Sequence, residues 1–383
     1  MIRPQSQSFT RRDTSVIGRW WWTIDRWSLA IISIMIGIGV LLSFAASPPV
    51  ADRLNLGTFF FVKRHILMVP PTLFVLFTIS LMSPLQIRRL ATLVYIAGVI
   101  LLVMTLWTGT EIKGARRWVN IGGTTIQASE FIKPVFAVMV AWMLAEKYRD
   151  RHFPGVLISL FLLSILVVLL LLQPDLGMTL IIVSTWIAQL FIAGMPILWM
   201  GILGGCGILG LCGAYFLFPH VARRIDQFLD PVSGDPRHDL YQINQSLEAF
   251  MNGGLFGKGP GEGTVKKHVP DAHSDFVFSV AGEEFGLILC LILVILFAFI
   301  VLRSLVRATN ENSLFITIAT SGLAIQFGLQ AFVNMASTLH LIPTKGMTMP
   351  FISYGGSSML ALGMGMGMIL ALTRRRHGIS QVL

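Results

Sequence analysis

Residues 155–172, GVLISLFLLSILVVLLLL, contain no charged side chain and run straight into Gln173-Pro174-Asp175. As a helix rising about 1.5 Å per residue they extend roughly 27 Å, close to the roughly 30 Å hydrocarbon core of a bilayer. The stretch offers water no polar face, so it reads as a transmembrane helix. Further apolar runs recur near 27–45, 65–81, 90–107, 131–145, 177–193, 197–218, 277–302, 313–335 and 354–372. Over all 383 residues only 13% are charged and 54% are apolar, with a mean hydropathy of +0.74; a soluble domain carries about a quarter charged residues. The expected fold class is an all-α polytopic membrane protein with about ten transmembrane helices and a large extracytoplasmic loop, 219–276, between helices 7 and 8.

The chain then divides into an N-terminal tail (1–26), a ten-helix membrane domain (27–372) and a C-terminal tail (373–383). An even helix count puts both termini on one side. Lys and Arg are denser on the side of the termini, which predicts that this side is cytoplasmic. Arg88-Arg89, Lys147, Arg149 and Arg151, and Arg374-Arg375-Arg376 read as inner anchors. Phe44-Ala45-Ala46-Ser47 resembles a signal-peptidase site, but the polar segment before it is long for a signal peptide, so the first span is expected to be retained. The net charge of +10 is spread through the loops with no basic helix or aromatic-interleaved stripe, which argues against nucleic acid and for an anionic lipid or phosphate ligand. Cys206, Cys212 and Cys290 lie within apolar spans and are expected to be small core residues, implying no disulfide or metal framework.

Topology does not explain the basic residues of the outer side: Lys113, Arg116, Arg117, Lys133, Arg223, Arg224, Lys258, Lys266 and Lys267. In the long loop, Tyr241 to Met251 has helical spacing and suits a helix lying at the membrane surface. The run from Gly253 to Gly263, GGLFGKGPGEG, reads either as a mobile turn or as backbone amides approaching a pyrophosphate. No Gly-Lys-Ser/Thr follows, so it is not a nucleotide-binding loop. Asp275, in VPDAHSDFVF (269–278), stands where loop meets span; Ser274 or Asp275 is a candidate helix cap, and the carboxylate is a candidate for chemistry. Glu283 and Glu284 follow two turns later. A charge at bilayer depth costs about 2.5–3.5 kcal/mol, so both must face protein or a wet cavity.

Other segments read more quietly. Ser129 can cap the fourth span; Glu130 and Lys133, three apart, can pair. Gln173-Pro174-Asp175-Leu176-Gly177 reads as a tight turn. Ser353-Tyr354-Gly355-Gly356 opens the last span and can line a cavity, while Gly363, Gly365 and Gly367 suit close helix packing.

The order of these motifs resembles the SEDS family of peptidoglycan glycosyltransferases over nearly the whole chain: Gly-Ala-Arg-Arg-Trp (114–118), Gln-Ala-Ser-Glu (127–130), Gln-Pro-Asp-Leu-Gly (173–177), Tyr-Gln-Ile-Asn-Gln-Ser (241–246), His-Ser-Asp-Phe (273–276), Gly-Glu-Glu (282–284) and Ser-Tyr-Gly-Gly-Ser-Ser (353–358). Trp20-Trp21-Trp22-Thr23-Ile24-Asp25-Arg26 and the Gly-Lys-Gly-Pro-Gly-Glu-Gly loop look more like the cell-division branch than the elongation branch. Ala128 and Leu240 depart from the family's usual Pro and Gly and touch only loop shape. The resemblance implies polymerisation of lipid II, a polyprenyl-diphosphate-linked disaccharide peptide, in septal wall synthesis at the bacterial inner membrane. It implies an essential acid at Asp275, as base or as ligand of a divalent cation (Mg²⁺ or Mn²⁺). Substrate contacts are expected from Arg116, Arg117, Glu130, Lys133, Lys258, Lys267, His273, Ser274 and Ser353. The implied partners are a class B penicillin-binding transpeptidase and other division proteins. The competing readings are a lipid II flippase and a noncatalytic division scaffold.

Overall fold

A computed structural model describes residues 15–112, 115–121, 124–217, 221–222, 225–226, 239–343 and 346–374. The helices are α1 (Val16–Thr23), α2 (Arg26–Arg53), α3 (Phe60–Ser80), α4 (Pro84–Thr108), α5 (Ala128–Arg149), α6 (Gly155–Leu172), α7 (Leu176–Ile192), α8 (Ile197–Leu217), α9 (Asp239–Gly253), α10 (Val277–Thr309), α11 (Leu314–Thr338) and α12 (Gly356–Leu372). Each of the ten apolar intervals falls on one of these helices. Eight are long and apolar enough to cross a membrane; α7 and α12 are shorter apolar helices. The expected all-α polytopic architecture is the one found, with one addition: between α4 and α5 the strands β1 (Thr110–Ile112), β2 (Ala115–Ile121) and β3 (Thr124–Ile126) form a small antiparallel sheet. Its strands are too short for period-2 patterning to stand out beside the spans.

Helices α5 and α11 form the centre, with α4, α6, α7, α10 and α12 around them. Helix α12 packs chiefly on α3. There Gly363 and Gly367 let the backbones close: a Cβ on either would come 2.9 Å from the carbonyl oxygens of Thr72 and Leu76, bearing out the packing role expected of these glycines. Helix α8 lies at the other extreme, packing mainly on α7, with Cys206 and Cys212 exposed. The expectation that all three cysteines are core residues therefore fails for these two; on a peripheral helix apolar surface faces lipid, and only Cys290 is buried. The 1–26 tail contains α1, capped by Ser15, whose Trp20 is buried and donates its indole N–H to Ser80 Oγ at 2.7 Å.

Asp25 caps α2 and clamps one end of the bundle. Its carboxylate accepts from Arg303 Nε (2.6 Å) and Nη2 (2.8 Å) and from Ser28 Oγ (2.8 Å), and lies 3.0 Å from Arg307 Nε. Burial opposes ionisation of Asp25, but the bonds from Arg303 and Ser28 and the charge of Arg307 outweigh it and hold the carboxyl below its ordinary range. Because the folded value lies below the unfolded one, the clamp stabilises above about pH 4 and is lost as pH falls through the lowered value.

Two outcomes follow. The unfolding temperature of Asp25→Asn in detergent is expected to lie below wild type at neutral pH, by the equivalent of about 1.5–3 kcal/mol for charged hydrogen bonds, and the gap is expected to shrink below pH 4. Gly39 abuts the backbone of Phe351 and Ile352, where a Cβ would come 2.9 Å from Ile352 Cα, whereas Gly37 meets nothing within 4 Å. Gly39→Ala is therefore expected to cost about 1–3 kcal/mol of overpacking, and Gly37→Ala to melt like wild type.

Candidate functional site

At the end of the bundle opposite Asp25, residues 269–276 approach α10 as a run of turns. Their carbonyls are gripped from four directions. Arg53 Nη2 donates to Val269 O at 2.7 Å, Tyr354 N to His273 O at 3.0 Å, Ser353 Oγ to Ser274 O at 2.5 Å, and Asn334 Nδ2 to Asp275 O at 2.9 Å. The His273 ring packs against Phe61 (centroids 4.1 Å apart) and Tyr354 (5.6 Å), which also touch each other (5.5 Å). Helix α10 starts with Phe276 at its N-cap and no side-chain cap. The expected capping by Ser274 or Asp275 is thus not made, and the Asp275 carboxylate is left to point elsewhere. It lies over Gly346, where a Cβ would come 2.9 Å from Oδ2. Asp275 remains half-buried.

A second chain of polar contacts leads inward from this turn. Asn334 Nδ2 also donates to Met347 O at 2.6 Å. One turn earlier on α11, Gln330 Nε2 donates to Thr348 O at 3.0 Å and Gln330 Oε1 accepts from Lys133 Nζ at 2.8 Å. Lys133 in turn pairs with Glu130 at 2.9 Å, the partnership their spacing suggests. Both are buried and line a cavity of about 30 Å³ with Gln326 and Gln330, too small for a diphosphate. In this arrangement Lys133 and Glu130 hold the 346–349 segment through Gln330. Sequence reading missed Gln330 and Asn334; the available signal was Gln326, Gln330 and Asn334 at four-residue intervals, a polar stripe on an otherwise apolar helix. Ser129 does not cap α5, whose N-cap is Gln127, and lies buried within the first turn.

The glycine-rich run is also committed. Helix α10 is broken at Gly286, whose φ of 74° only glycine adopts readily, and the run packs against the break. Lys258 N donates to Glu283 O at 2.9 Å and Gly259 N to Glu284 O at 3.0 Å. The Glu283 carboxylate accepts from Asn252 Nδ2 (2.9 Å), Val265 N (2.8 Å) and Lys266 N (2.7 Å). Glu284 accepts from Gly261 N at 3.1 Å and pairs with Lys266 Nζ. The alternative reading of this run, a pyrophosphate contact, is therefore not open to the amides of Lys258, Gly259 and Gly261: the carbonyls of Glu283 and Glu284 and the Glu284 carboxylate already occupy them. The two glutamates solve their burial with donors, as membrane energetics demand, and anchor the loop.

The remaining candidates divide by exposure. Arg117 is spent on the turn after α6, donating to Gln173 O (3.2 Å) and Pro174 O and lying 3.8 Å from Asp175; Asp175 caps α7, so that segment is the tight turn expected. Arg116 is exposed and pairs with Glu111 at 3.4 Å, and the Lys258 and Lys267 side chains are exposed. Ser353 is buried, accepts from Met349 N at 2.8 Å, and so positions the turn rather than lining a cavity. Lys113, Arg223 and Arg224 lie outside the described residues. Among the described residues no three His, Cys, Asp or Glu side chains converge on a metal position.

Residues 26–378 match the FtsW/RodA/SpoVE family, described as cell cycle protein. A Caulobacter vibrioides protein named "Probable peptidoglycan glycosyltransferase FtsW" is 45% identical over 379 residues, covering 99% of this chain and 96% of its own length. A Coxiella burnetii protein of the same name is 33% identical over 368 residues, covering 92% and 96%. Among solved structures, one described as "Structural coordination of polymerization and crosslinking by a peptidoglycan synthase complex" is similar with a TM-score of 0.75 at 27% identity, covering 92% of this chain and 98% of that one. The crystal structure of Thermus thermophilus rod shape determining protein RodA is similar with a TM-score of 0.68 at 26% identity, covering 92% and 97%.

Removing Glu283 orphans three donors at once, the buried Lys266 N–H and the part-buried Val265 N–H and Asn252 Nδ2. Glu283→Ala is expected to destabilise by about 3–5 kcal/mol or more locally, read as faster amide exchange and protease cleavage confined to residues 252–268.

Proposed function

The chain belongs to the FtsW/RodA/SpoVE family of cell-cycle membrane proteins, and on that premise we propose that it is a peptidoglycan glycosyltransferase joining lipid II units into glycan strands during septal wall synthesis. The observation that carries the site is Asp275: a half-buried carboxylate on a turn whose carbonyls are fixed by Arg53, Asn334, Ser353 and Tyr354. Glycan polymerisation requires a sugar hydroxyl to displace a polyprenyl diphosphate at an anomeric carbon. The hydroxyl must lose its proton as the new C–O bond forms, and the diphosphate must carry away the electrons of the old one.

In our reading Asp275 takes the hydroxyl proton. The fixed carbonyls matter because general-base catalysis depends on placing the acceptor within hydrogen-bond reach, and a turn free to shift would lose that geometry. The exposed side chains of Lys258, Lys267 and Arg116 are the cations suited to the departing diphosphate. Arg117, Lys133, Glu130, His273 and Ser353 act behind them, holding the turns in place. The alternative role for Asp275 is to hold a hard divalent cation in place of acting as the base; its carboxylate is the oxygen ligand such a cation would take. Bound there, Mg²⁺ or Mn²⁺ would neutralise charge on the leaving group.

The same reading orients the molecule with both termini and the Asp25 clamp in the cytoplasm of an inner membrane, and Asp275 outside. The polyprenyl tails stay in lipid while headgroups meet the Asp275 end. By the similarity to a synthase complex that coordinates polymerization and crosslinking, we assign the chain a transpeptidase partner, of the class B penicillin-binding type, and place the pair with other division proteins at the septum.

Purified protein with its transpeptidase, Mg²⁺ or Mn²⁺ and labelled lipid II is expected to make glycan strands. Asp275→Asn, close to isosteric, is expected to make them at least about 100-fold more slowly while unfolding at the wild-type temperature. Equal polymer from both proteins removes Asp275 from the mechanism, and none from a folded, partner-bound wild type removes the polymerase assignment.

A further inference from the structure

We propose that the end of the bundle opposite Asp275 carries a binding site for an anionic phospholipid, in the cavity between α5, α6, α7 and the start of α8. Lys147 lies fourteen residues beyond Lys133 on α5, about 21 Å along the axis. The cavity there has a volume of about 190 Å³, against about 30 Å³ for the one beside Lys133. Leu144 and Leu190, both buried, form its floor. Tyr148 (56% exposed) and Trp199 (53% exposed) stand at its rim with Lys147. The next residues around α8, Ile197 and Leu198, are 79% and 72% exposed, so this wall of the protein faces hydrocarbon and the rim lies at headgroup level.

The local charges select the ligand. Residues 146–151 hold three cations, Lys147, Arg149 and Arg151, against two carboxylates, Glu146 and Asp150. Arg149 lies 3.8 Å from Glu146, and Asp150 accepts from His152 N, whereas Lys147 has no ion pair or hydrogen bond among the described residues. An exposed ammonium above an apolar floor, flanked by an indole and a phenol ring, matches a phosphate headgroup with the upper part of its acyl chains. Basic pockets between helices bind anionic lipid headgroups for this reason, and aromatic rims sit at that depth. The Tyr148 hydroxyl donates to Ala193 O, which fixes the rim where α7 ends. Helix α8 packs mainly on α7, so a lipid seated here would support the base of α8.

The test uses the full chain in detergent, with phosphatidylglycerol or phosphatidylcholine added and retained lipid counted by native mass spectrometry. Wild type is expected to retain one phosphatidylglycerol in preference to phosphatidylcholine. Lys147→Gln is expected to weaken that binding at least about fivefold, the effect of one Lys at a charged lipid surface, and Lys147→Arg to restore it. Val156→Trp, which fills the cavity without altering charge, is expected to abolish it. Should the Trp variant fail to reach the wild-type unfolding temperature, the Gln and Arg pair decides alone. Equal retention by wild type and Lys147→Gln, or equal retention of the two lipids by wild type, overturns the proposal. Glycan synthesis is not the readout, so the result stands apart from the role of Asp275.

Discussion

A backbone that leaves the helix inside a bilayer must find every hydrogen bond within the protein, because hydrocarbon offers none and each unmet group costs several kcal/mol. The segment between α11 and α12 is under that constraint. Its Phe351 and Ile352 are buried and lie against Gly39, midway along α2. The amides of Gln330 and Asn334 and the hydroxyl of Ser353 answer it by bonding Thr348, Met347 and Met349. Two of these three side chains then extend to the turn before α10, Asn334 to Asp275 O and Ser353 to Ser274 O. The requirement to bury irregular backbone and the requirement to fix a carboxylate are met by the same few groups. A change at Gln330 or Lys133, neither of which touches Asp275, therefore bears on the site through the segment both depend on.

The same economy operates along α10. The break at Gly286 exposes carbonyls that a continuous helix would have satisfied, and the glycine-rich run fills the gap with its own amides. Glu283 and Glu284 are tolerated at 0% and 1% exposure because loop N–H groups and Lys266 reach them. Two acids that would be a liability in lipid thus tie the segment that follows α9 to the membrane domain, and they do so on the helix that Asp275 precedes.

Hydropathy located the helices because the solvent is hydrocarbon: length and apolarity decide a span almost without context. The Gln173–Gly177 turn, the Glu130–Lys133 pair and the glycines of α12 were legible for a similar reason, since each depends on residues close in sequence or on a simple packing rule. What sequence did not show is long-range. Asn334 and Asp275 are 59 positions apart, Lys133 and Gln330 are 197 apart, and a lone amide on an apolar helix does not announce its partner. The cysteines of α8 read as core in the sequence because apolar neighbours look the same facing lipid or core. Asp275 stood out through resemblance; its residue type and position at a helix start were equally consistent with a cap, which it does not make.

Burial separates the basic residues of the Asp275 end into two chemical classes that composition cannot distinguish. Lys133 and Lys266 are buried beside carboxylates, so each is neutralised and works as a tether. Arg117 is spent largely on carbonyl oxygens, which its fork of donors suits better than an ammonium would. Lys258 and Lys267 keep exposed side chains, and Arg116 has only a solvent-exposed pair, the kind worth little energetically and readily exchanged for a stronger anion. A diphosphate arriving from the membrane would meet cations already solvated and loosely held, not ones whose removal from a buried carboxylate must first be overcome. On the proposed reading, that difference in desolvation cost, rather than the count of basic residues, is what would suit this face to an anionic leaving group.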